Sequence, residues 1–207
     1  MSDRIRPLTS ELIEHLPEPC RTCLFWELAD APRGPQPDRA AEVAEAKLLY
    51  HRAVELDWGP PGLLVRSDDR TLAFATFVPA EQAHRTRRLG SVPSDDALVL
   101  TTMWVDPDVR GTGIASALLH RVLRQAHDMG LRAVEATAIR GGDGPCLLPE
   151  AFLLANGFVV HHQHVRHPLL RLDLRQTVRW QDAIEQALRG VRIVLGRRDR
   201  RTAPSAS

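Results

Sequence analysis

Residues 97–130, ALVLTTMWVDPDVRGTGIASALLHRVLRQAHDMG, decide how the chain folds. Residues 97–105 are an apolar run rich in β-branched side chains, which predicts a strand, and Asp106-Pro107 closes it. A helix follows from about Thr112 to Met129, with Gly130 just past its end. Ile114, Leu118, Val122, Ala126 and Met129 recur at helical spacing and give one stripe to bury. Between strand and helix lies Arg110-Gly111-Thr112-Gly113-Ile114-Ala115. The first N–H groups of a helix have no partner inside it, and the dipole makes that end positive. Two glycines place no side chain between those N–H groups and a phosphate. Small Ala115 keeps the first turn open, and Arg110 adds a charged fork. The stretch predicts a cradle for a phosphate-bearing ligand without saying which.

The neighbouring segments extend this reading. Residues 131–139 predict a second strand directly after the helix, hence a parallel pair joined by a right-handed crossover. Residues 62–66 and 71–78 flank Ser67-Asp68-Asp69-Arg70, a hairpin signal. Residues 4–8 predict a short strand and residues 9–16 a helical turn or two. Residues 39–58 predict a long helix with Val43, Ala46, Leu49, Tyr50 and Val54 on one side. Residues 17–27 form a compact segment with two cysteines and two aromatics, followed by a proline-rich loop to residue 38. Beyond the second strand come a glycine-rich loop at 141–145, a short helix at 148–156 ended by Gly157-Phe158, and strands at 159–164 and 169–175. A last amphipathic helix spans 177–194. Residues 1–195 read as one domain, and residues 196–207, Arg-rich and then small and polar, as a disordered tail.

Composition narrows the function classes. A chain of 207 residues buries one full core, and 43% hydrophobic with 26% charged residues is ordinary for a globular protein. A net charge of +1 gives no overall pull toward nucleic acid or membrane. No apolar stretch reaches bilayer length and the first residues do not read as a signal peptide, so a cytoplasmic location is expected. Three cysteines do not make a secreted disulfide framework. Lys47 is the only lysine in an arginine-rich chain.

The order of these elements, with the sextet Arg110 to Ala115 after a strand ending Val105-Asp106-Pro107 and with Gly157-Phe158 after a later short helix, resembles the GCN5-related N-acetyltransferase (GNAT) superfamily. The Cys20-Arg21-Thr22-Cys23-Leu24-Phe25-Trp26-Glu27 segment also looks like a bacterial subgroup with an N-terminal CRxCxFWE segment. The resemblance implies an α/β fold with a mixed, splayed central β-sheet flanked by helices. It implies acetyl-CoA as acetyl donor, with its pyrophosphate on the N–H groups of Gly111, Thr112, Gly113, Ile114, Ala115 and Ser116 and with Arg110 binding beside them. Its pantetheine arm would pair with the backbone of Met103, Trp104 and Val105. The position of a supporting asparagine falls on Cys146.

Acetyl transfer to an amine needs a neutral amine, a polarised carbonyl and a leaving thiolate. Glu135, alone among apolar residues on the second strand, is the first candidate for the base, and Glu27 the second. The family often carries a tyrosine four residues before the Gly-Phe as general acid. Leu153 stands there, and the only tyrosine is Tyr50. Two other readings stay open: a slow CoA-binding protein, or a metal- or thiol-binding protein using Cys20 and Cys23. A single Cys-x-x-Cys is too few ligands for zinc, so no metal site is assigned. Residues 84–88 and the C-terminal arginines are basic, but the C-terminal stretch lacks interleaved aromatics, which argues against nucleic acid. The C-terminal apolar stripe predicts docking on the body or on a second copy as a homodimer. The acceptor amine is not legible.

Overall fold

The computed structural model describes residues 5–67, 70–141, 144 and 146–174. The expected C-terminal helix and tail lie outside the described residues. The elements in chain order are β1 (Ile5–Pro7), a 3-10 turn (Ser10–His15), α1 (Glu18–Arg21), α2 (Ala40–Asp57), β2 (Gly62–Ser67), β3 (Arg70–Pro79), α3 (His84–Arg88), β4 (Ala97–Val105), α4 (Ile114–Asp128), β5 (Ala133–Ile139), β6 (Leu148–Pro149), α5 (Glu150–Ala155), β7 (Val159–His162) and β8 (Leu169–Asp173).

The strands form one open mixed sheet in the order β1-β2-β3-β4-β5-β8-β7, with β6 beside β5. β4 and β5 are parallel, as the crossover through α4 requires. Their pairing covers only Ala97↔Ala133, Leu98↔Val134 and Val99↔Glu135, and then the two strands part. β5 continues with β6 at Ala138 and Ile139 instead. The sheet is therefore splayed between its two central strands, as expected.

Helices cover both faces. α4 turns Ile114, Leu118, Leu119, Val122 and Ala126 onto Phe77, Leu98, Leu100, Val134 and Ala136 in the main core. Met129, expected in that stripe, is 40% exposed, because the helix ends at Asp128 and the stripe ends with it. On the opposite face Leu8, Ile13 and Leu16 pack against Leu64 and Phe74, and Val54 of α2 meets Val78 and Val99.

A bulge at Thr101 breaks the alternation of β4. Thr76 pairs with Thr102 but Phe77 with Leu100, so Thr101 is the extra residue. Its hydroxyl donates to the Thr76 carbonyl oxygen at 2.9 Å and meets the Thr76 hydroxyl at 2.8 Å. The extra residue moves later side chains across the sheet. Leu98 and Leu100 face α4, and so do Met103 and Val105, while Trp104 lies on Phe74 on the other face.

Gly62 sits where β2 runs tightest. A Cβ there would lie 2.4 Å from the Ala75 carbonyl oxygen and 3.1 Å from Leu8 Cδ2. Gly62→Ala is expected to cost about 1–3 kcal/mol by overpacking, a fall of roughly 3–10 °C in Tm for a chain this size. An unchanged Tm in a thermal melt would contradict the packing described.

Candidate functional site

The cradle is braced from the hairpin. Asp106 Oδ1 accepts from the Asp108 N–H at 2.9 Å. Arg70 grips the same carboxylate through Nε (2.8 Å) and Nη2 (2.5 Å), and Nη2 also reaches Asp108 at 2.6 Å. Thr112 Oγ1 donates to the Val109 carbonyl at 2.6 Å. Gly111 and Gly113 have φ of +73° and +84°, the left-handed region that L side chains resist. A Cβ on either would meet nothing within 4 Å, so neither glycine is there to relieve packing. They shape the turn and leave its approach open. Ala117 N–H donates to the Gly113 carbonyl at 3.0 Å, so the N–H groups of Ile114, Ala115 and Ser116 project from the end of α4. Arg110 is exposed at the rim, with Nε on the Val105 carbonyl at 3.2 Å. Met103, Trp104 and Val105 are half-buried on the part of β4 that has left β5.

A cleft opens beside that stretch, lined by Thr76 of β3, Thr102, Met103 and Trp104 of β4, Cys20, Cys23, Trp26 and Glu27 of the N-terminal segment, Lys47 of α2, and Cys146 and Leu147 before β6. Glu27 is buried with one carboxylate oxygen, Oε1, on two groups of α2. Lys47 Nζ forms an ion pair with it, and His51 Nε2 lies 3.3 Å away. The buried face of α2 is thus Val43, Lys47, His51 and Val54, and Leu49, expected inside, is 57% exposed. The buried Glu27 carboxylate needs a cation, and α2 turns Lys47 inward to supply it. Burial pushes the Glu27 carboxyl up, but the Lys47 ammonium, aided by His51, overrides this and brings it down to about 2.

The N-terminal segment is pinned from α3. Arg85 donates through Nε to the Phe25 carbonyl (2.6 Å) and through Nη2 to those of Leu28 (2.7 Å) and Ala31 (2.6 Å), and lies 4.3 Å from the Phe25 ring centre. Arg87 donates to the Ala80 carbonyl at 3.0 Å and Arg88 pairs with Asp30. These three arginines of the expected basic patch make internal contacts.

Glu135 occupies a different place from Glu27. It has no exposure, does not line the cleft, and lies where β4 and β5 are still paired. Its oxygens accept from the Ser94 N–H (3.0 Å), the Ser94 hydroxyl (2.6 Å) and Arg171 Nη1 (3.0 Å). Arg171 also bonds Asp96 at 2.9 Å, tying β8 to β5 and to the entry of β4. Glu135 thus works in the sheet, and the carboxylate in the cleft is Glu27. Leu153 is fully buried in the main core. Cys20 and Cys23 gather no ligand set: among the described residues no cluster of three or more His, Cys, Asp or Glu is arranged to hold a metal. No helix among the described residues is long and apolar enough to cross a membrane.

Lys47→Met leaves the Glu27 charge without its main partner and is expected to cost about 3–5 kcal/mol in urea unfolding. Lys47→Met with Glu27→Gln is expected to restore most of it. Glu27 is depressed in the folded state, so its contribution is complete above the ordinary carboxyl pKa of 4.5 and is lost as pH falls toward about 2. The gap between wild type and Lys47→Met is therefore expected to narrow with acid. Equal losses in the single and double variants would contradict the ion pair.

The profile of the acetyltransferase (GNAT) family matches residues 14–142, more than half of the chain. No curated protein matches the sequence. Among solved structures the fold is similar to that of PaiA N-acetyltransferase from Thermoplasma acidophilum in complex with coenzyme A, at 16% identity, 82% of this chain, 97% of that one and a TM-score of 0.54. It is likewise similar to an N-acetyltransferase from Staphylococcus aureus Mu50, at 18% identity, 82% and 97% coverage and a TM-score of 0.52. At such identities these likenesses concern the fold alone. The family profile, however, spans the hairpin, both parting strands and the glycine turn, and on that match the chain belongs to the acetyltransferase (GNAT) family.

Proposed function

We propose that the protein is an N-acetyltransferase that moves the acetyl group of acetyl-CoA to an amine. The observation that carries this reading is the parting of β4 and β5 after Val99 and Glu135, which frees the β4 edge directly beside the glycine turn. The pyrophosphate would lie on the N–H groups from Gly111 to Ser116, with Arg110 at the rim. The free edge at Met103 to Val105 would take the amide-bearing arm as an added strand. That route ends at the cleft, where the acceptor would enter between Trp104, Thr102 and Glu27. The CRxCxFWE segment, which carries Glu27 and half of the cleft wall, would mark the bacterial subgroup that shares this acceptor site. All three cysteines are free thiols, which suits the cytoplasm.

Each of the chain's own groups has a part. Glu27 attracts the ammonium form of the acceptor and orients the water that carries its proton away. A carboxylate this acidic is a weak base, so the proton goes on to solvent and the neutral amine attacks. Leu153 gives no acid for the departing sulfur, and a thiol of ordinary pKa leaves without one.

The test is release of free thiol from acetyl-CoA across a panel of amines, peptides and aminoglycoside-like polyamines. For an amine that is turned over, kcat/KM is expected to rise with pH toward the pKa of that amine. Glu27→Gln is expected to lower it by about tenfold to a hundredfold, through lost attraction and positioning of the acceptor. Acetyl-CoA binding without thiol release for any amine would favour a slow CoA-binding protein. No binding at all would remove both readings.

A further inference from the structure

Two sulfurs 123 residues apart in sequence meet at the cleft: Cys23 Sγ lies 3.4 Å from Cys146 Sγ. We propose that Cys23 and Cys146 form a reversible dithiol–disulfide site that takes the disulfide of a low-molecular-weight thiol as its oxidant and ties the two sides of the cleft together. The partner of Cys23 is thus not Cys20, its neighbour in the Cys-x-x-Cys, but a residue beyond β5.

The surroundings already hold the two thiols in place. Trp26 Nε1 donates to the Cys146 carbonyl at 2.6 Å, so the backbones that carry the sulfurs are docked before any bond forms. A disulfide bond is about 2.05 Å long, so the sulfurs close by roughly 1.4 Å, within reach of side-chain rotation. Cys146 is the one non-glycine among the described residues with positive φ, +71°, a strained conformation of the kind found where a side chain must be aimed. The two thiols are also differentiated. The contact between the two sulfurs lowers Cys23 below the usual thiol range and raises Cys146 above it. Burial pushes Cys20 up to about 12 and keeps it a thiol. Cys146 is the half-exposed member of the pair and Cys23 the buried one, so either thiol can open the exchange and the other complete it.

The step balances without further reagents. The thiolate of one cysteine of the pair attacks one sulfur of R–S–S–R, forms a mixed disulfide and releases RS⁻. The other cysteine loses its proton and attacks the protein sulfur of that mixed disulfide, releasing the second RS⁻. Two cysteine thiols are oxidised and one small disulfide is reduced to two thiols. The bridge joins the N-terminal segment to the chain between β5 and β6, both of which line the cleft. That this closes the way for an acceptor rests on the acyl-transfer reading; the thiol chemistry does not.

The experiment treats the full chain with oxidised glutathione, alkylates it with N-ethylmaleimide in denaturant so that buried thiols react, and maps non-reduced peptides. The expected product has lost about 2 Da, carries one maleimide on Cys20 where the reduced protein carries three, and links the Cys23 and Cys146 peptides. Dithiothreitol reverses it. Cys20→Ser is expected to keep the bridge, and Cys23→Ser and Cys146→Ser each to abolish it. A Cys20–Cys23 bridge, glutathione adducts without an internal bridge, or a bridge that survives Cys146→Ser would overturn the proposal. Acetyl-CoA binding by the reduced protein is measured separately, so a failure of the acyl-transfer reading leaves the bridging result standing.

Discussion

The site depends on how few positions β4 and β5 share. Parallel strands in a continuous sheet satisfy each other's backbone groups along their length. Here the ladder stops after Val99 and Glu135, and the Arg171–Glu135–Ser94 cluster fastens the closed end of the split. A carboxylate without exposure would be costly alone, but with Arg171 and two donors from Ser94 it becomes a tie among β8, β5 and the entry of β4. Beyond that tie β5 turns to β6, and the edge of β4 toward β5 is unpaired from Leu100 onward. The bulge at Thr101 sets the side chains of that edge, so that Trp104 looks toward the cleft wall and Met103 toward α4. The glycine turn then places the positive end of α4 at the end of the same edge.

The second constraint is a charge in the wall. Glu27 is carried on an irregular segment, and such segments are held by whatever backbone acceptors they present. Arg85 takes three of those acceptors, and Lys47 and His51 take the carboxylate itself. The same segment thus brings to the cleft both the acidic group and the sulfur of Cys23, which faces Cys146.

Much of this was legible in the sequence, and the reasons differ by element. β4 was plain because nine apolar and β-branched residues end at Asp-Pro, and α4 because its stripe obeys a single period. The glycine turn was plain because two glycines at a strand–helix junction have few other uses. The face of α2 is only partly legible: Val43 and Val54 are buried and Tyr50 packs beside them as the periodicity predicts, but Leu49 is exposed, for a physical reason. Apolar residues stand on several sides of that helix, and a periodicity argument assigns the inside to Leu49 and Ala46. The burial is decided instead by Glu27, which no local pattern places nearby. The usable signal was the sole lysine, Lys47, spaced four residues from Val43 and four from His51. Glu135 was noticed correctly as an oddity in an apolar strand, but only the register with Ser94 and Arg171 tells what it serves. The Cys-x-x-Cys spacing pointed to Cys20 and Cys23 as partners. The contact is long-range, between Cys23 and Cys146, and no spacing rule reaches across 123 residues.

The central claim is that the parted edge and the glycine turn together hold acetyl-CoA. Isothermal titration of acetyl-CoA against the wild type, Gly113→Val and Arg110→Ala, with acetyl-pantetheine as the phosphate-free comparison, tests it directly. The account predicts binding in about the micromolar range, a loss of at least about tenfold for Gly113→Val and a smaller loss for Arg110→Ala. It also predicts much weaker binding of acetyl-pantetheine to all three proteins. No heat at millimolar acetyl-CoA, or equal affinities for the three proteins and both ligands, would contradict it.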